Sequence, residues 1–154
     1  MYINKIISGG QTGADRAALD FAILNGIPCG GWCPKGRRSE EGRIPEHYPL
    51  KETLSGNYEE RTNLNICNSD GTLVFLTGHP DKGTVYTIDQ CKAYSKPLFI
   101  RQAGAHSSSK EIRKWLMHYR ISKLNFAGPR EGESPGIYKK AMEFLESELK
   151  ALCV

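Results

Sequence analysis

Residues 7–22 read ISGGQTGADRAALDFA, in which three glycines (Gly9, Gly10 and Gly13) separate a β-branched strand end from an alanine-rich helical run. Glycine inside regular structure costs about 0.5–1 kcal/mol relative to alanine. Three of them at a strand-to-helix turn therefore point to something that must approach the backbone closely. Taken as Ser8-Gly9-Gly10-Gln11-Thr12-Gly13, the turn is the pattern G-x-G-x-x-G with serine in the first position. Gly10 is then the point where a ligand meets the main chain, and Gly13 the point where the helix packs on the sheet. Free N–H groups and the positive end of the helix dipole suit an anion there. No Gly-Lys-Ser/Thr follows, so the phosphate loop of the nucleoside triphosphatases is excluded.

Outward from this turn, strand-like and helix-like segments alternate. YINKIIS is a first strand and residues 14–25 a helix; IPCGGW is a short second strand. Residues 34–57 form a long loop rich in glycine, proline and charge, a length that usually signals function. Residues 58–67 are helical, and TLVFL is an apolar run typical of a strand covered on both faces. TVYTIDQCKAY is a helix, LFI a strand, SSSKEIRKWLMHYR a serine-capped helix and KLNFAG the last strand. The apolar face of the SSSKEIRKWLMHYR helix is Ile112, Trp115, Leu116 and Tyr119; that of the C-terminal helix is Ile137, Ala141, Phe144, Leu145, Leu149 and Leu152. The expectation is one α/β domain over residues 1–154, a three-layer sandwich around an open, mostly parallel sheet of about five strands. Such a sheet gathers its strand-to-helix turns on one edge, at the carboxyl ends of the strands.

Composition agrees. The chain has 154 residues, 39% hydrophobic and 25% charged, as in an ordinary soluble globular protein. No apolar run approaches the roughly 20 residues that span a bilayer, and the amino terminus lacks a signal-peptide core, so a cytoplasmic location without a membrane partner is expected. A net charge of +4, mostly interleaved with acids, argues against nucleic acid as a partner. Five scattered cysteines without a C-x-x-C pair are expected to be reduced thiols rather than a metal centre.

The second turn narrows the ligand. About 20 residues past the glycines a dinucleotide fold carries an acidic residue for the ribose; here the chain has Trp32, Cys33, Pro34 and Lys35, then Gly36, Arg37 and Arg38. Cations in that place disfavour ordinary NAD and suit phosphate or another oxyanion. Further along, Thr77, Gly78, Gly83 and Thr84 lead into another helix start. Gly128, Arg130, Glu131 and Ser134 precede the last helix, and Arg61 and Thr62 lie where they face the same edge. Trp32 is either a stacking face or a packed tryptophan, His79 is a titratable loop residue, and Asp15 and Arg16 either meet the ligand or order the glycine turn. Replacing Lys35 and Arg37 with alanine is expected to weaken anion binding and leave the fold intact.

The blocks GGQTGADRAALDFA, GIPCGGWCPKGRRSEEGRIPEHYPL, YEERTNLN, SDGTLVF and LNFAGPRE...PGIY resemble the molybdenum carrier (molybdenum cofactor carrier-like) family. That family is a branch of a superfamily that includes the lonely-guy phosphoribohydrolases and a DNA-processing protein. The resemblance spans about residues 7–138. It implies a Rossmann-like fold, a homo-oligomer (dimer or tetramer), and a pocket that holds the molybdenum cofactor, molybdopterin, or a related phosphate-bearing anion as cargo without turnover. Carried over by motif, the cofactor-binding residues are Gly9, Gly10, Gln11, Thr12, Gly13, Asp15, Arg16, Lys35, Gly36, Arg37, Gly83, Thr84, Gly128, Arg130 and Glu131, with no catalytic residue and no metal ligand. The phosphoribohydrolases carry P-G-G-x-G-T-x-x-E, and this chain has Thr87 at the glutamate position. Threonine is no carboxylate, which counts against hydrolysis by their mechanism; a nucleotide-processing hydrolase and a nucleotide sensor are the alternative readings.

Overall fold

The computed structural model describes residues 2–105 and 109–154. Five strands form its main sheet: β1 (Lys5–Ile7), β2 (Cys29–Gly30), β7 (Gly71–Leu76), β8 (Leu98–Gln102) and β9 (Lys123–Ala127). The spatial order is β2-β1-β9-β7-β8 and every pairing is parallel. The α/β expectation and the five parallel strands hold.

The order explains where a ligand can go. Counted from β9 as the first strand, it becomes 3-2-1-4-5, the order of a dinucleotide-binding sheet, whose ligand crevice opens where the strand order reverses. Here that reversal falls between β9 and β7. The two chain ends close the circle: Ile3 bridges Cys153 in parallel, its N–H donating to the Leu152 carbonyl at 2.8 Å, and the Val154 N–H donates to the Ile3 carbonyl at 2.9 Å.

Two helical layers cover the sheet. Helices α1 (Ala14–Leu24), α4 (Ser109–His118) and α5 (Ile137–Phe144) share one core with Ile6, Leu73, Phe75, Leu124 and Phe126. The alanines of α1 let it lie close to α5, and Phe144 of α5 stacks on Phe75 with ring centroids 5.1 Å apart. Helices α2 (Tyr58–Cys67) and α3 (Lys82–Ala93) pack together on the other face. The predicted inward stripe of the last helix is buried throughout, although the helix widens into a π-type turn over Leu145–Leu149. Tyr119 differs: α4 ends at His118, and Tyr119 is exposed past it. Ser107 and Ser108 of the predicted caps lie outside the described residues.

The long loop has structure of its own. The chain leaves the sheet at Gly31, and β3 (Trp32–Cys33) pairs with β6 (Lys51–Glu52), while β4 (Arg38–Ser39) and β5 (Gly42–Arg43) form a small hairpin. Arg37 is the pin that holds this excursion. Its side chain is buried and donates to the carbonyls of Ile44, Pro45, Tyr48 and Leu50 at 2.7–3.3 Å. Tyr48 then fastens the loop to α1 by donating to Asp20 Oδ1 at 2.6 Å; burial, with this bond adding to it, pushes the Tyr48 phenol up to about 12.

Candidate functional site

A cavity of about 980 Å³ opens at the carboxyl edge of the sheet, at the reversal between β9 and β7. Its walls come from the first turn (Gly9, Gln11), the end of β9 with Gly128, the exposed face of α2, and the start of α3.

The floor holds one ion pair. Arg61 of α2 donates from Nη1 to Asp15 Oδ2 at 3.2 Å, and both side chains are largely buried, at 13% and 8% exposure. Gly9 makes room for this guanidinium, since a side chain there would collide with it. Asp15 also accepts, at 3.4 Å, from the Gln11 N–H. Burial raises the Asp15 pKa above its ordinary 3.8, with the Arg61 charge pulling the other way. The Arg61 Nε is buried without a hydrogen-bond partner among the described residues. A buried donor left unmade costs about 1–3 kcal/mol.

The α3 wall is a helix start. Asp81 caps it by accepting from the Thr84 N–H at 3.2 Å, while the N–H groups of Lys82 and Gly83 have no partner within the helix. Thr87, which lines the cavity one turn on, donates its hydroxyl to the Gly83 carbonyl at 3.2 Å. On the remaining wall Arg130 is held between Glu40 (Nε to Oε2, 3.2 Å) and Glu133 (Nη2 to Oε1, 3.1 Å). Exposed Glu59, Lys82 and Glu133 mix both signs of charge at the mouth. The site is thus a buried Arg61–Asp15 floor under a polar rim, rather than a uniformly basic bowl.

The residues predicted from sequence divide into two groups. Gly9, Gln11, Asp15, Gly83, Thr84, Gly128 and Arg130 line the cavity. The others do not. Gly10 faces the loop, where a side chain would meet Leu50 and Ile44. Arg16 donates from Nε and Nη2 to the Gly10 carbonyl at 3.1 and 2.9 Å, which orders the glycine turn. Gly13 has φ +80°, and a Cβ there would lie 2.5 Å from the Pro129 carbonyl oxygen; its role is to let the first and last turns touch. Thr12 accepts from the Glu131 N–H at 3.2 Å across that contact and donates to Glu40. Glu131 caps α5 by accepting from the Gly136 and Tyr138 N–H groups at 2.5 and 3.0 Å.

The basic loop is corrected most. Lys35 and Gly36 lie outside the cavity wall, the Gly36 N–H donating to Glu52 at 2.7 Å, and Arg37 spends its donors inside the loop. Replacing Arg37 therefore strikes the fold, contrary to the expectation from sequence. The loop reaches the site through Glu40 instead. Its carboxylate accepts from Thr12, from the Gly132 N–H at 2.8 Å and from Arg130, and its N–H donates to Gln11 Oε1 at 3.0 Å. Trp32 is outside the cavity, with Lys51 Nζ 5.8 Å from its ring centroid.

Arg61 and Thr62, expected at this edge but not among the residues carried over by motif, line the cavity; Asp81, Lys82, Tyr58, Tyr86 and Asn125 also line it and were not singled out. Arg61 was legible as a cation near a helix start, and Asn125 as a polar residue inside an apolar strand; the tyrosines carried no such signal. Among the described residues no cluster of three or more histidine, cysteine or acidic groups is placed to hold a metal ion, and no helix is long and apolar enough to cross a membrane.

Comparisons with known proteins are specific. Residues 6–149 match the circularly permutated YpsA SLOG family, and the sheet order counted from β9 has the form that such a permutation produces. A crystal structure from Syntrophus aciditrophicus SB, named "Putative molybdenum carrier protein", superposes with a TM-score of 0.90 at 46% identity, covering 96% of each chain. Centlein of Mus musculus is 37% identical over 68 residues, which is 44% of this chain but 5% of centlein. The chain belongs to the circularly permutated YpsA SLOG family.

Proposed function

We propose that the protein binds and carries a phosphorylated anionic cofactor in the switch-point cavity, and that the cargo is the molybdenum cofactor or a close relative of it. The observation that carries this reading is the largely buried Arg61 guanidinium on the cavity floor, beside Gly9 and across from the first turn of α3. A phosphate or metal oxyanion would pair with the exposed part of this guanidinium, and the N–H groups of Lys82 and Gly83 add donors with the favourable sign of the helix dipole. A volume of about 980 Å³ accommodates a ring system beyond the anion. Tyr58 and Tyr86 offer aromatic surface for a flat body, and the mixed charges of the mouth offer both donors and acceptors to its edge. The name borne by the Syntrophus structure supports molybdenum as the element concerned.

Holding without turnover fits the absence of a carboxylate where the related phosphoribohydrolases have glutamate: the Thr87 hydroxyl is committed to a main-chain carbonyl. Native mass spectrometry of freshly purified protein, with molybdenum analysis on the same sample, tests the reading. A retained adduct of pterin-phosphate mass, with or without metal, is the expected result. Ligand-free protein that also fails to take up added molybdenum cofactor would refute it.

A further inference from the structure

The two edges of the main sheet are finished differently. At one, β2 is two residues long and the chain leaves the sheet at once through Gly31. At the other, β8 runs for five residues, LFIRQ, with no strand on its outer side among the described residues. Its one charge, Arg101, is buried in an ion pair with Glu148. An apolar edge of this length invites a further strand. The main chain shows which groups are open, because residues of a parallel strand turn alternately to one neighbour and the other. The Pro97 carbonyl accepts from the Thr72 N–H at 2.9 Å, and the Ala103 N–H donates to the Leu76 carbonyl at 2.7 Å. Residues 97, 99, 101 and 103 thus face β7, and Leu98, Ile100 and Gln102 face outward. The Gln102 carbonyl takes the Ala105 N–H at 3.2 Å and keeps a second lone pair. The open run ends at Lys96, whose N–H is spent on the Cys91 carbonyl at 2.9 Å. The side chains here are apolar and partly bare: β7 is buried throughout, whereas Leu98 and Phe99 are half-buried and Ile100 is 46% exposed. Helix α3 extends the strip. Its Tyr86 and Gln90 bond Asn63 of α2, which leaves Val85, 40% exposed, and half-buried Ile88 on the flank away from α2.

We infer that β8 is the interface with a second copy of this chain, paired antiparallel across a two-fold axis at Ile100, so that two five-stranded sheets become one of ten strands. The outward positions complement themselves in that register. Ile100 exchanges both main-chain bonds with Ile100 of the second copy, and Leu98 does so with Gln102 of the second copy. Every outward N–H and C=O of the three residues is then used. A two-fold centred on Phe99 would instead set Gln102 against Lys96, whose N–H is already taken. The same axis brings the two Ile100 side chains together on the α3 face of the sheet and turns the Val85–Ile88 flanks toward each other. Such a contact closes after two copies, whereas parallel head-to-tail addition would not.

Sedimentation equilibrium of the 154-residue protein should give twice the chain mass of 17.2 kDa. Ile100→Lys and Ile100→Glu each set like charges opposite one another and should weaken the pair at least about a hundred-fold. Mixed in equal amounts, the two variants should pair again, because only at a two-fold through residue 100 do the new charges meet. Circular dichroism matching wild type is expected of both, since the side chain is exposed. Hydrogen exchange gives a second readout that needs no variant: the amides of Leu98, Ile100 and Gln102 should be slowed when the protein is concentrated and quicken on dilution. A monomer at every concentration, a dimer that both charged variants retain, edge amides that exchange equally fast in dimer and monomer, or an edge occupied by a peptide of another protein would overturn the assignment.

Discussion

The Arg61 guanidinium sits 3.2 Å from the Asp15 carboxylate beneath Gly9, and this one contact ties the glycine turn, α1 and α2 into the floor of the larger cavity. It also sets a competition. An anion bound on this floor would share Arg61 with Asp15, and a proton on Asp15 would relieve that competition.

Anion affinity should accordingly depend on pH through Asp15. Its pKa is raised by burial, so between 3.8 and the raised value the folded protein holds a proton that the unfolded chain has lost. In that window the folded state binds more protons, and stability contributed by this group falls as pH rises through the folded pKa. Calorimetric titration with sulfate, whose charge is constant over the range, should show tighter binding as pH falls into the window. Asp15→Asn should bind sulfate more tightly than wild type and lose this pH dependence. An unchanged profile in the variant would contradict the coupling.

Arg61→Lys keeps a cation but loses the guanidinium fork. Charge-assisted hydrogen bonds are worth about 1.5–3 kcal/mol, so affinity for a phosphate-bearing ligand should drop roughly ten- to hundred-fold. Circular dichroism of the variant should match wild type, which separates this effect from unfolding.

Arg37→Ala should behave in the opposite way. The side chain is buried and satisfies four main-chain carbonyls within the loop. Losing it should cost at least about 3 kcal/mol in denaturant unfolding, since each stranded buried acceptor costs about 1–3 kcal/mol. Lys35→Ala, on an exposed side chain, should change stability by less than about 0.5 kcal/mol. Anion affinity per folded molecule should stay the same in both.

What the sequence discloses follows from the range of each interaction. Alternating apolar segments are local patterns, so the strands and helices were legible, as was their assembly into a parallel sheet. Strand order was not. Nothing local to KLNFAG says that β9 inserts between β1 and β7, because that placement is decided by pairing partners distant in the chain. The same limit governs the site. Glycines and cations stood out by type, but whether each meets solvent, ligand or main chain is a matter of tertiary contact. Arg37 turned inward onto its own loop, and Glu131 served a helix cap, while Arg61 reached the floor from a helix that the G-x-G-x-x-G reading does not include. Gly13 was read as the point where the helix packs on the sheet, but its close partner is the Pro129 carbonyl of the last turn.

The permuted order makes its own prediction. Because Ile3 and Cys153 already lie side by side, joining the two ends through a short linker and opening the chain after Gly104 should yield a protein with the same sheet. Chain ends that lie close together commonly permit such rearrangement. A permutant that remains unfolded would show that the present order is needed for folding.

The proposed function depends on an anion binding at the Arg61 floor. Nitrogen-15 nuclear magnetic resonance during titration with a nucleoside monophosphate tests this directly, because each wall of the cavity reports separately. The predicted result is a set of saturable shifts at the amides of Gly9, Gly83 and Gly128 and at the Arg61 Nε. Shifts confined to residues 35–38, or none at ligand concentrations that shift any other part of the protein, would contradict it.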